Sequence, residues 1–99
     1  MGTNQIINAL KAELPGLQKE YGVKRIGLFG SYARGTQTET SDVDVVAEFD
    51  RPIGLRFVEF SERIEQIVGH HVDVLTPAGI SGIRNHRIAQ SITGSVIYI

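Results

Sequence analysis

Apolar residues Ile6, Ile7, Leu10 and Leu14 recur at helical spacing near the start of the chain, with Asn8, Lys11 and Glu13 off that face. Thr3 or Asn4 can cap this helix. Pro15 has no N–H to donate and biases Leu14 away from helical backbone. The pattern therefore predicts one helix to about Glu13, then a short one started by Pro15 that runs through Tyr21 and stops at Gly22. The run VKRIGLF, Val23 to Phe29, predicts a first strand, which Gly30 breaks. Ser31 to Arg34 can form a short helical turn, and Thr36 to Ser41 is a polar loop. In VDVVAEF, Val43 to Phe49, alternation sets Val43, Val45 and Ala47 on one side of a second strand, with Asp44, Val46 and Glu48 on the other. Asp50-Arg51-Pro52 ends it.

A helix is predicted from about Gly54 to Val68, with Phe57, Phe60, Ile64, Ile67 and Val68 as its apolar stripe. Leu55 and Val58 lie off that stripe, either as a second core contact or as partner-facing residues. Gly69 stops the helix, His71 to Leu75 predicts a third strand, and Thr76-Pro77 closes it. A weaker helical pattern covers Ser81 to Ile92, and Ser95 to Ile99 reads as a last short strand. Only a loop joins the first two strands, which favours an antiparallel pair, whereas the 54–68 helix is long enough for a parallel crossover. The expected fold class is α/β (α+β), a small mixed sheet with helices packed on it.

A chain of 99 residues is expected to form one domain over 1–99, burying roughly 60–70% of its unfolded surface. A net charge of −1 supplies no general attraction to nucleic acid or anionic lipid. With no cysteine, disulfides and thiolate metal sites are excluded. The N-terminal stretch lacks the cationic start and apolar core of a signal peptide, and no apolar run is long enough to span a membrane. A soluble, cytoplasmic domain is expected.

The chemistry concentrates between Gly30 and Glu48. Asp42 and Asp44 are two positions apart, so extended backbone would present both carboxylates on one face. Side by side they repel, and a divalent cation between them relieves the repulsion. Oxygen ligands without cysteine point to magnesium or manganese. If the strand holding Asp73 lies beside the one holding Asp44, three carboxylates surround a site suited to two-metal phosphoryl or nucleotidyl displacement. Gly30-Ser31 offers close backbone approach and a hydroxyl for phosphate, and Arg34, one turn on, can pair with a phosphate. A Gly-Ser pair is more often only a turn. Asp44 and Asp73 are harder to set aside, since each interrupts a valine-rich strand where an unpaired carboxylate is costly. His70 and His71 read as surface residues at a strand start, and His86 as part of a solvated basic face with Arg84 and Arg87. Tyr21, Tyr32 and Tyr98 read as core or edge packing before base stacking.

Gly30-Ser31, a ten-residue spacer, Asp42-Val43-Asp44 and a later Asp73 resemble the motif of the polymerase-β-like nucleotidyltransferase superfamily. RIGLFGSYARG, SDVDVVAEF and VDVLTP together resemble its minimal nucleotidyltransferase (MNT) family, from about Val23 to Pro77 and more loosely beyond. The resemblance implies a nucleotidyltransferase fold, with Asp42 and Asp44 coordinating the metals on the triphosphate. It implies that Asp73 ligates the catalytic metal and helps deprotonate the attacking hydroxyl. Gly30 and Ser31 would hold the triphosphate tail, with Arg34 as a helper. Two magnesium or manganese ions and ATP are the implied cofactor and substrate. Members of this family commonly pair with a HEPN ribonuclease toxin as its antitoxin, and some transfer AMP from ATP to a toxin tyrosine. The implied activity is therefore protein adenylyl transfer to a HEPN-type partner. A non-catalytic antitoxin acting by complex formation, or a transferase for a small molecule, is the alternative. The short length and weak net charge disfavour a long nucleic-acid acceptor.

Overall fold

The computed structural model describes residues 2–81 and 96–99. Helix α1 spans Thr3–Tyr21 without interruption. The expected break at Pro15 does not occur. Proline inside a helix costs about 3 kcal/mol through a lost hydrogen bond and a clash with the preceding turn. Ile6 and Leu10 before it, and Leu17 and Tyr21 after it, are all buried on one core. At about 1.5–3 kcal/mol for each fully buried large side chain, a single continuous axis outweighs the proline cost. Nor does Thr3 or Asn4 cap the helix. Gly2 is the N-cap, its N–H donating to Gln5 Oε1 at 2.9 Å. The Thr3 hydroxyl instead donates to the Tyr32 carbonyl at 2.7 Å.

Strand β1, Val23–Phe29, leads directly into the short helix α2, Gly30–Arg34. Strand β2, Val43–Phe49, pairs antiparallel with β1, bringing Phe29 opposite Asp44. Helix α3, Arg56–Val68, then crosses over to β3, Val72–Leu75, which runs parallel to β2 with Asp44 beside Asp73. A short helix α4, Pro77–Ser81, follows. Strand β4, Ile97–Tyr98, pairs antiparallel with β1, giving the mixed order β3-β2-β1-β4. The helical pattern over 81–92 falls almost wholly outside the described residues.

Helices α1 and α3 cover one face of the sheet. Val43, Val45, Ala47, Ile26 and Leu28 pack there against Leu10, Leu17, Phe60 and Ile64. Phe60 stands edge-on to both Tyr21 and Phe49, with ring centroids 5.3 and 5.1 Å away. Leu55 and Val58 are exposed, which removes the core-contact reading for both. The opposite face carries a smaller apolar group of Phe29 and Val46 with Leu75 and Val96. Asp44 and Asp73 belong to that second face by strand alternation.

Candidate active site

The site forms where β1 ends and β2 and β3 begin. Antiparallel pairing sets Asp44 beside Phe29, the last residue before Gly30. Parallel pairing sets Asp73 beside Asp44 on the other side, about 4.8 Å away between backbones. Residues paired across neighbouring strands point to the same face, so the two carboxylates and the Gly30 turn converge. Asp42 lies just before β2, at the end of a loop closed by Thr38 N–H to Ser41 Oγ at 2.8 Å and Ser41 N–H to the Thr38 carbonyl at 3.1 Å. The Val43 N–H donates to the His71 carbonyl at 3.2 Å, which ties the two strand starts together.

Gly30 has φ +74°, in the left-handed region. A Cβ there would also lie 2.2 Å from Asp44 Oδ2. The Asp44 carboxylate thus rests against the glycine backbone. Ser31 follows, partly buried in α2, and Arg34 ends that helix, exposed and close enough to act on the charge of Asp44. Burial first, then the carboxylates of Asp73 and Asp42, push the Asp44 carboxyl above its ordinary range, and Arg34 opposes this. Asp42, His71 and Asp73 are exposed, and each offers an atom within 4.8 Å of the others. His71 reads from the sequence only as a surface imidazole, and exposed it is. The alternation that puts Asp42 level with Asp44 also puts His71 level with Asp73, and that signal was available.

Desolvation lowers the proton affinity of His71, but Asp42, Glu65 and Asp73, with a hydrogen bond to Glu65, outweigh it and raise the imidazole pKa. Asp44 and His71 therefore both hold protons more tightly folded than unfolded. Their contributions are greatest at acid pH and are lost as pH rises through each raised value. Without divalent metal, the stability of the wild type relative to Asp44→Asn should fall as pH rises from about 4 towards neutrality. Thermal unfolding of both in EDTA checks this, and a relative gain by the wild type would contradict it.

Residues 5–99 match the family model described as the nucleotidyltransferase domain. The chain belongs to that family. Protein adenylyltransferase MntA of Thermococcus cleftensis is 34% identical over 96 residues, covering 96% of this chain and 93% of its own length. A candidate protein adenylyltransferase of Methanocaldococcus jannaschii is 39% identical over 99 residues, covering 97% and 96%. Among solved structures, one described as a candidate minimal nucleotidyltransferase aligns with TM-score 0.75 and 26% identity over 98% of this chain and 95% of its own. The tri-AMPylated Shewanella oneidensis HEPN toxin with MNT antitoxin gives TM-score 0.54 at 18% identity, covering 97% of this chain and 66% of that one, a likeness of fold.

The donor set fits a divalent cation. Asp42 and Asp73, with His71, offer ligand atoms within 4.8 Å of one another, and the repulsion that half-buried Asp44 feels from both carboxylates is one that a cation would relieve. Among the described residues no helix is long and apolar enough to cross a membrane.

Proposed function

We propose that this domain transfers AMP from ATP to a hydroxyl, a tyrosine, of a HEPN-type toxin and is that toxin's antitoxin. The observation that carries the reading is the register placing Asp44 between Asp73 and the Gly30 turn. The relatives named as protein adenylyltransferases, and the AMPylated toxin held by an MNT protein of the same fold, support the choice of acceptor. Asp42, Asp44 and Asp73 would hold the divalent cations, two magnesium or manganese ions. When bound, these neutralise the triphosphate and make the attacking hydroxyl more acidic. Gly30 lets the backbone approach the triphosphate closely, the Ser31 hydroxyl donates to a phosphate oxygen, and Arg34 pairs with the tail. The acceptor oxygen bonds to the α-phosphorus, the bond to the bridging oxygen breaks, and pyrophosphate leaves. Asp73 helps to remove the hydroxyl proton.

The test is intact mass spectrometry of the partner toxin after incubation with this protein, ATP and magnesium. An Asp42→Asn/Asp44→Asn double variant is the control. A gain of whole AMP units with the wild type alone is expected. A stable complex without mass gain would replace transfer by neutralisation through binding. Ser31→Ala should weaken nucleotide use by about 1–3 kcal/mol, the cost of losing a hydrogen bond to a charged group. Unchanged ATP kinetics would leave Ser31 as a turn residue.

A further inference from the structure

The imidazole of His71 is held from behind. In the last turn of α3, Glu65 Oε2 lies 2.8 Å from His71 Nδ1, and the same oxygen accepts the Val72 N–H at 3.1 Å. Donation from Nδ1 to this carboxylate leaves Nε2 facing the site, 3.3 Å from Asp73 Oδ1. In the neutral ring these are two acceptors facing each other, an arrangement that a cation between them turns from repulsive to favourable. Asp42 completes the group, with all three ligand atoms within 4.8 Å of one another. A cation about 2.1 Å from each atom needs only a small closing of these side chains. A carboxylate behind a ligating histidine fixes the ring and strengthens its free nitrogen as a donor.

We propose that His71, oriented by Glu65, supplies a nitrogen ligand to a divalent cation held with Asp42 and Asp73, making this a mixed nitrogen–oxygen position that favours manganese over magnesium. The inference rests on reading those carboxylates as cation ligands. The selectivity follows from ligand chemistry, since imidazole suits transition metals whereas magnesium retains oxygen ligands and water. Glu65 is a positioning residue, holding the ring and the neighbouring Val72 N–H with one oxygen.

The test uses the full chain with Mn2+ as probe. Pulsed electron paramagnetic resonance reads nitrogen coupling to the bound ion, and competition titration gives the Mn2+/Mg2+ affinity ratio. Nitrogen coupling is expected in the wild type and in Glu65→Gln, whose amide oxygen still accepts from Nδ1. It should weaken in Glu65→Ala and vanish in His71→Ala, where the affinity ratio should fall about tenfold. Mn2+ bound without nitrogen coupling, or an unchanged ratio in His71→Ala, overturns the proposal. So does tighter Mn2+ binding in His71→Ala, which would make the ring a competing positive charge. If Asp73→Asn loses Mn2+ while His71→Ala loses nothing, only the histidine assignment fails. If the wild type binds no Mn2+, the carboxylate reading fails with it.

Discussion

Asp44→Asn should lose nucleotidyl transfer by about a hundredfold or more, while the metal-free protein stays at least as stable as the wild type. The two effects share one cause. Asp44 is half-buried, and burial together with Asp73 and Asp42 makes its ionised form unfavourable. Asparagine keeps the shape beside Gly30 but removes the charge, relieving the repulsion and removing a cation ligand together. Activity assays and thermal unfolding with and without magnesium separate the outcomes. The wild type should gain in Tm from magnesium much more than the variant. Full activity in Asp44→Asn would take Asp44 out of the site.

Gly30→Ala should lower transfer through a single added methyl. Left-handed backbone costs a non-glycine residue about 1–2 kcal/mol, and the new carbon would stand 2.2 Å from Asp44 Oδ2. The carboxylate can swing away, so the fold should survive with modest destabilisation. Transfer should fall with it, because the carboxylate leaves the position it shares with Asp73. Gly35→Ala is the matched control. Gly35 has φ +72°, nearly the same backbone, and nothing within 4 Å of an added carbon. Similar Tm losses with activity lost only in Gly30→Ala would assign the effect to the Asp44 contact. Equal activity losses would assign it to backbone strain in α2.

The elements that local pattern determines were legible in the sequence. Alternation in VDVVAEF set Val43, Val45 and Ala47 on one side, which is the core side in the structure, and the stripe through Phe60, Ile64 and Val68 is the buried face of α3. Loop length against helix length correctly separated the antiparallel β1–β2 pair from the parallel β2–β3 pair. Pro15 misled because its cost is local and certain, whereas the burial that outweighs it comes from residues brought together only by the tertiary fold. The Gly2 cap was equally hidden, since the Thr3 hydroxyl is drawn to Tyr32, 29 residues away. At the site, the acidic residues stood out as charges within valine-rich runs. Their meeting depended on register, which no single segment encodes. The contact of Glu65 with His71 required knowing where α3 ends relative to β3.

That register has a consequence for the ten residues between Ser31 and Asp42. The gap across the site is measured by two hydrogen-bonded strand pairings, Phe29 with Asp44 and Asp44 with Asp73, and by nothing in the intervening loop. Past Gly35 the spacer is slack rope between fixed posts. Tyr32 is held in the core and Arg34 faces the charge of Asp44, but the polar stretch 36–41 can change length without moving those pairings. One residue inserted into β2 ahead of Asp44, by contrast, would turn that carboxylate through the sheet into the apolar core.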